Sequence, residues 1–162
     1  MQLQEGKEKF IQAWGTLGSS WGINRTMAQV HALLLISPES LSTEDVMQEL
    51  NVSRGNANMN LRALIDWGLI SKELRPGERK EYFVAEKDMW KVAKQVIRER
   101  RKRELEPMLR ILEELKQVKG EKDDKEAEAF VQAISNLHDL SAKADRTLET
   151  MLRADEHWFL SS

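Results

Sequence analysis

Between Ser53 and Trp67 the chain reads SRGNANMNLRALIDW, with no carboxylate before Asp66. Arg54, Asn56, Asn58, Asn60 and Arg62 spread carboxamides and guanidiniums over the polar face and flanks of a helix. A carboxamide donates and accepts at once, which suits the adenine edge; a guanidinium fork suits guanine. A helix of this composition can hydrogen-bond base edges in a DNA major groove, and its N-terminus favours a phosphate. Ser53, Arg54, Asn56, Asn58 and Arg62 are the candidates for that contact, with Asn60 lying more to the side. Further on, the segment Arg75-Pro76-Gly77-Glu78-Arg79-Lys80 supplies Arg75, Arg79 and Lys80. A guanidinium there can enter a narrow A·T-rich minor groove or lie on phosphates.

Such residues need elements to hold them. Ser42 and Asp45 form a capping pattern ahead of a short helix, Thr43 to Leu50, that buries Val46 and Leu50. Asn51 suits the left-handed residue of a sharp turn, and Ser53 caps the next helix. Ala57, Leu61, Leu64 and Ile65 form the buried stripe of that helix, and Gly68 ends it. Leu69 to Leu74 and Glu81 to Val84 read as strands around the turn Arg75-Pro76-Gly77-Glu78. Helix, turn, helix, strand, basic tip and strand together make a winged helix-turn-helix.

On either side the chain is helical. Residues 5 to 20 place Phe10, Trp14, Leu17 and Trp21 on one face, with Gly18 and Gly22 weakening the end. Asn24 to Ile36 is apolar enough to be buried, and Pro38 breaks it. A long helix starts near Lys87, packs through Trp90, Ala93 and Ile97, and must kink or restart at Pro107. Met108, Leu109, Leu112 and Leu115 continue an apolar face. After the charged loop from Gly120, a last helix runs from about Lys125 to Ala154. Ala127, Phe130, Ile134, Leu137, Ser141, Ala144, Leu148 and Met151 recur in steps of three and four, a heptad seam that needs a long partner helix in the same or a second chain.

The 162 residues carry 25 basic and 27 acidic side chains, for a net charge of -2. The balance is uneven. Residues 53 to 103 hold 14 Lys+Arg against 7 Asp+Glu, a surplus of +7, whereas residues 1 to 52 stand at -3 and residues 104 to 162 at -6. The basic field is confined to the motif and the helix after it, within reach of a phosphate backbone. Part of the surplus, Arg98 to Arg103, is interleaved with Glu99 and Glu104. It reads either as a nucleic-acid contact or as a helix solvated by i,i+4 ion pairs.

Other chemistries find no support. There is no cysteine, so disulfides and thiolate sites are excluded. His31, His138 and His157 stand apart, without the spacing of a metal site. No Ser/His/Asp set, phosphate-binding glycine loop or catalytic carboxylate pair is evident, so an enzyme is not expected and neither is a cofactor. Five tryptophans, Trp14, Trp21, Trp67, Trp90 and Trp158, read as core rather than as a cage for a small cation. The first residues lack a signal-peptide pattern and no segment is long and apolar enough to span a membrane, so a cytoplasmic protein is expected.

Phe10 to about Leu115 resembles the GbsR branch of the MarR-like winged-helix transcription regulators. The resemblance is carried by FIQAWGTLGSSWGINRTMAQVHALLLIS, LSTEDVMQELNVSRGNANMNLRALIDWGLI, the wing PGERKEYF and DMWKV at the start of the long helix. SRGNANMNLR is its most specific part. The resemblance implies a homodimer, most often a repressor, on a pseudo-palindromic double-stranded DNA operator, with terminal helices from both subunits forming the dimer interface. Relatives in this branch are linked to choline and glycine betaine physiology.

The expected fold is therefore mainly α, a winged helix-turn-helix with one β-hairpin plus long C-terminal dimerisation helices. Residues 1 to 23 join the dimerisation part, 24 to 84 read DNA, and 86 to 162 dimerise and respond to a small-molecule effector of unidentified chemistry. The competing expectation is a winged-helix scaffold that binds protein, which would want an apolar or acidic recognition face.

Overall fold

The computed structural model describes residues 1–154; His157 and Trp158 lie outside the described residues. The chain divides into two compact units, Met1–Gln95 and the residues from Val96 onward. The first contains α1 (Leu3–Ser20), α2 (Arg25–Ile36), β1 (Leu41–Ser42), α3 (Thr43–Leu50), α4 (Arg54–Asp66), β2 (Ile70–Leu74), β3 (Glu81–Ala85) and the start of α5 (Met89–Arg100). The second contains the rest of α5, a π-helical segment Arg101–Leu105, α6 (Glu106–Leu115) and α7 (Lys125–Arg153).

The local signals act as the residue types require. The Asn24 side chain accepts the Thr26 and Met27 N–H groups at 2.9 and 3.2 Å and starts α2. Ser42 and Asp45 form a reciprocal capping box on α3. Asn51 takes the left-handed conformation, φ 53° and ψ 51°, between α3 and α4. The short β1 was not foreseen: Leu41 and Ser42 pair antiparallel with Phe83 and Tyr82 and make a three-stranded sheet in the order β1-β3-β2. Two residues are too few to leave a period-2 pattern in the sequence.

α2 is the centre of the first unit, packed on α1, α3, α4 and β3. Val30, Leu34, Val46, Leu61, Leu64 and Phe83 are its largest fully buried side chains. On the Lys87 side, the ammonium donates to the carbonyls of Leu34, Leu35 and Ser37, closing the C-terminal end of α2.

The α1–α2 contact differs from the aromatic face expected of it. Phe10 and Trp14 are half-buried, but Leu17 and Trp21 are exposed, Trp21 at 65%. The close approach is made by Gly15 and Gly18, both buried. A Cβ on Gly18 would stand 2.7 Å from the Ala28 Cβ, and one on Gly15 2.8 Å from the Gln29 Cγ. Gly18 is therefore a packing notch, and it is Gly22, at φ +81°, that stops the helix. Beneath this contact lies His31, 5% exposed, with its Nδ1 accepting from Trp14 Nε1 at 3.4 Å. Burial, reinforced by the Lys87 charge, lowers its pKa to about 4.

In α5 the buried residues are Val92 and Glu99, while Ala93 is exposed. Pro107 restarts the helix as foreseen, by way of the π-helical segment. The Glu106 N–H reaches back to the Arg101 carbonyl, which accommodates a proline that can donate no helical bond. α6 then packs along α7. The covered face of α7 is turned one residue from the expected seam. Ala127, Ile134, Ser141 and Leu148 are half-buried as foreseen, but their companions are Val131, His138, Asp145 and Leu152. Phe130, Leu137 and Met151 are instead exposed, with Leu140 beside them. The displaced set includes two charged or polar members because the π-helical segment and α6 offer them partners: Arg101 Nε of the former donates to Asp145 at 2.7 Å, and Glu113 of the latter lies 2.8 Å from His138 Nε2. The basic run is largely absorbed the same way, with Arg103 on Glu99 at 2.9 Å and Arg100 3.6 Å from Glu104.

The packing sets opposite signs for two glycine substitutions. Gly18→Ala destabilises the protein, because an overpacking cost of about 1–3 kcal/mol exceeds the ~1 kcal/mol gained in helix propensity. Gly55→Ala, whose Cβ would meet nothing within 4 Å, stabilises it by up to about 1 kcal/mol. Urea melts of both variants check the opposite signs. His31 makes stability pH-dependent: the unfolded chain takes up a proton near its ordinary pKa of 6.5, whereas the folded site holds out to about 4. Its contribution is complete above pH 6.5 and is lost as the pH falls, by about 2 kcal/mol between pH 7 and pH 5. The same melts on His31→Gln should lack that loss.

Candidate nucleic-acid interface

α4 is held by its inner face. Ala57, Leu61 and Leu64 are at most 1% exposed, set against α2 and α3. At 3.6 residues per turn, the opposite side is then fixed as Gly55, Met59, Arg62 and Asp66, and all four are exposed. Asn56 and Asn58 stand on the flanks, half-buried. Asn60, 2% exposed, is internal: its Nδ2 donates to the Asn56 carbonyl at 2.9 Å and to Asn56 Oδ1 at 2.8 Å.

The candidate side chains are already partly engaged. Ser53 is the helix cap, its Oγ accepting the Asn56 N–H at 3.1 Å. Thr43 Oγ1 donates to Asn58 Oδ1 at 3.3 Å, which leaves the Asn58 amide N–H groups as the outward end. Arg54 Nη1 donates to Glu44 at 2.9 Å, and Arg62 Nη2 lies 3.4 Å from Glu81, which also accepts from Lys72 at 3.0 Å. The hydrogen bond from Arg54 holds Glu44 below the usual carboxylate range, and that from Lys72 does the same for Glu81. These ion pairs are exposed and weak, so a phosphate or a base edge can displace the carboxylates without a large cost. Meanwhile they fix where the guanidiniums wait.

The wing is a hairpin with Ile70 opposite Ala85 and Leu74 opposite Glu81. Its turn has the Glu78 N–H on the Arg75 carbonyl at 3.1 Å and Gly77 at φ +78°, the geometry that Pro-Gly supports. Arg75 has a structural position in it. Its Nη2 donates to the Ser40 carbonyl at 2.8 Å and the Ser40 hydroxyl at 3.0 Å, and its guanidinium lies 3.7 Å from the Tyr82 ring centroid. Tyr82 is buried against this group, and its interaction with the neighbouring Glu78 is the main cause of a raised Tyr82 pKa. Arg79 and Lys80 are fully outward at the tip. The structure thus brings Ser53, Arg54, Asn56, Asn58 and Arg62 to one helix end and face, and sets Arg79 and Lys80 on a separate projection. Met59, at the centre of the outward line, is a residue that a search for polar groups passes over.

Arg75→Ala should lower the unfolding free energy by about 1 kcal/mol, through the lost hydrogen bonds and ring contact. Arg79→Ala should change it by less than about 0.5 kcal/mol. Denaturant titration of the two variants compares the roles.

No protein-family model and no curated protein matches the chain. Among solved structures, a crystal structure of a transcriptional regulator superposes with a TM-score of 0.69, at 20% identity, covering 91% of this chain and 95% of that one. A mutant of S. aureus MepR bound to an oligodeoxyribonucleotide matches 83% of this chain and 92% of its own at 13% identity, with a TM-score of 0.42, too low to bear on the fold. No helix among the described residues is long and apolar enough to cross a membrane. Mostly helical, with a small antiparallel sheet and a long C-terminal helix, the chain has the winged-helix fold that the first of these structures shares.

Proposed function

We propose that this protein is a sequence-specific double-stranded DNA-binding transcription regulator of the MarR-like class and its GbsR branch, a repressor that acts as a homodimer on a pseudo-palindromic operator. The observation that carries the reading is the exposed side of α4. An amide- and guanidinium-bearing helix, seated on its apolar stripe beside a basic wing, presents groups suited to base edges, with no carboxylate until its last residue. Arg62, Asn56 and Asn58 contact bases, Ser53 and Arg54 hold a phosphate at the helix N-terminus, and Arg79 and Lys80 follow the minor groove or its phosphates. Arg75 contributes by holding the wing in place.

The two faces of α7 support the homodimer. One stripe is covered by α6 within the chain. The other, Phe130, Leu137, Leu140 and Met151, is 40–66% exposed and repeats at heptad spacing, as a helix waiting for a second chain would. In this reading residues 24 to 84 are the reading head, and α1 with the helices after residue 86 join two copies. The recognition helices then enter successive major grooves about 34 Å apart. A small-molecule effector would act by changing the separation of the two heads, because both half-sites must be engaged together.

Selection from a random DNA pool tests the reading: an enriched inverted repeat with half-sites about one turn apart is expected. Affinity for that site should fall by about three orders of magnitude or more between 50 and 200 mM salt if six or more phosphates are neutralised. Arg62→Ala should cost about 1–3 kcal/mol and relax one position of the site. Failure to enrich any sequence, with salt-insensitive partner binding, would instead favour a protein-binding scaffold.

A further inference from the structure

The outermost side chain in the middle of α4 is apolar. Met59 is 58% exposed and stands opposite Ala57 and Leu64, the two residues that seat the helix. On the same line lie Gly55, with open space where a Cβ would be, and Arg62. The neighbouring amides are turned to the flanks and partly engaged, Asn56 with Asn60 and Asn58 with Thr43. A single exposed methionine is ordinary on a protein surface. Here, however, it leads the face that, on the function proposed above, enters the major groove. A thioether can satisfy almost none of the polar base edges there. The apolar group that base pairs do present in that groove is the thymine 5-methyl.

We propose that Met59 is a specificity-determining residue, which packs its side chain on the 5-methyl group of a thymine in each half-site. The inference rests on the DNA-binding reading and adds a base to it. The unbranched thioether can adjust its rotamers to meet the methyl group. Gly55, one turn earlier, offers no side chain that would hold the helix away from the groove floor. Arg62, almost one turn later, then contacts the neighbouring base pair, so the preferred half-site pairs a thymine with a guanine close by.

The test uses the selected operator and the full-length protein. Each thymine of one half-site is replaced in turn by deoxyuridine, which removes only the methyl, and binding is followed by fluorescence anisotropy for wild type and Met59→Ala. One position should weaken wild-type binding about fourfold, the effect of one buried methyl group, and leave the variant unchanged. The substitution is at an exposed position, and a denaturant melt confirms that the variant is folded. Sequence-specific binding in which no thymine-to-uracil change matters overturns the Met59 assignment and leaves the DNA-binding reading standing. Equal sensitivity in wild type and variant assigns the methyl to another residue and also overturns it. Absence of any sequence-specific binding overturns both.

Discussion

A helix that turns 100° per residue cannot choose its outer face independently of its inner one. In this protein the inner face of α4 is set by Ala57, Leu61 and Leu64 against the core built on α2. Everything that the helix offers outward follows from that seating. Rotate α4 by one residue and Asn60, whose amide has its partner inside, would move toward solvent, while Met59 would lose its place at the crest. The αL turn at Asn51 and the caps at Ser42 and Ser53 matter for the same reason: they fix where α4 begins and so the rotational phase at which its stripe meets the core. The wing depends on this core as well, since β3 carries Phe83 into it and pairs with β1 just before the capping box.

Electrostatics divides the basic residues into two groups that composition cannot separate. Lys87 closes the end of α2, Arg75 ties the wing to Ser40, and Arg101 and Arg103 are held by Asp145 and Glu99. These cations belong to the scaffold. Arg54 and Arg62 are held more loosely, by exposed carboxylates, and Arg79 and Lys80 stand at the tip. A surplus of +7 over residues 53 to 103 therefore overstates the field available to a ligand, because several of its cations are held within the chain. The acidic partners serve this arrangement. Glu44 and Glu81 hold the Arg54 and Arg62 guanidiniums beside the helix through exposed pairs that an anion can displace at little cost.

Much of this could be read from residue types because the signals are local. Asn24, Ser42, Asn51, Ser53 and the Pro76-Gly77 pair each dictate a backbone event within a turn of themselves, and each does so in the structure. What escaped the sequence was set by partners distant along the chain. β1 exists because β3 reaches it. Gly18 looks like a weak helix residue until Ala28 is placed against it. Arg75 looks like a free wing cation until Ser40 and Tyr82 surround it. At the candidate site the element order and the polar candidates were legible, but which of their atoms remain outward, and that Met59 leads them, depended on the tertiary rotation of α4.

The last helix shows how a correct period can carry the wrong phase. Two heptad stripes run side by side along α7, sharing Ala127, Ile134, Ser141 and Leu148 at their margin. Hydrophobicity alone favours the one containing Phe130, Leu137 and Met151, since these are better apolar residues than His138 and Asp145. The chain nevertheless covers the more polar stripe internally, because Glu113 of α6 and Arg101 of the π-helical segment meet His138 and Asp145 there. Spending the polar stripe inside the chain keeps the apolar one outside. An ion-paired interface is specific but gains little free energy after desolvation, whereas an apolar stripe gains from any burial. That distribution suits a helix whose internal contact needs the right register, and it leaves the stripe with more to gain from burial on the outside.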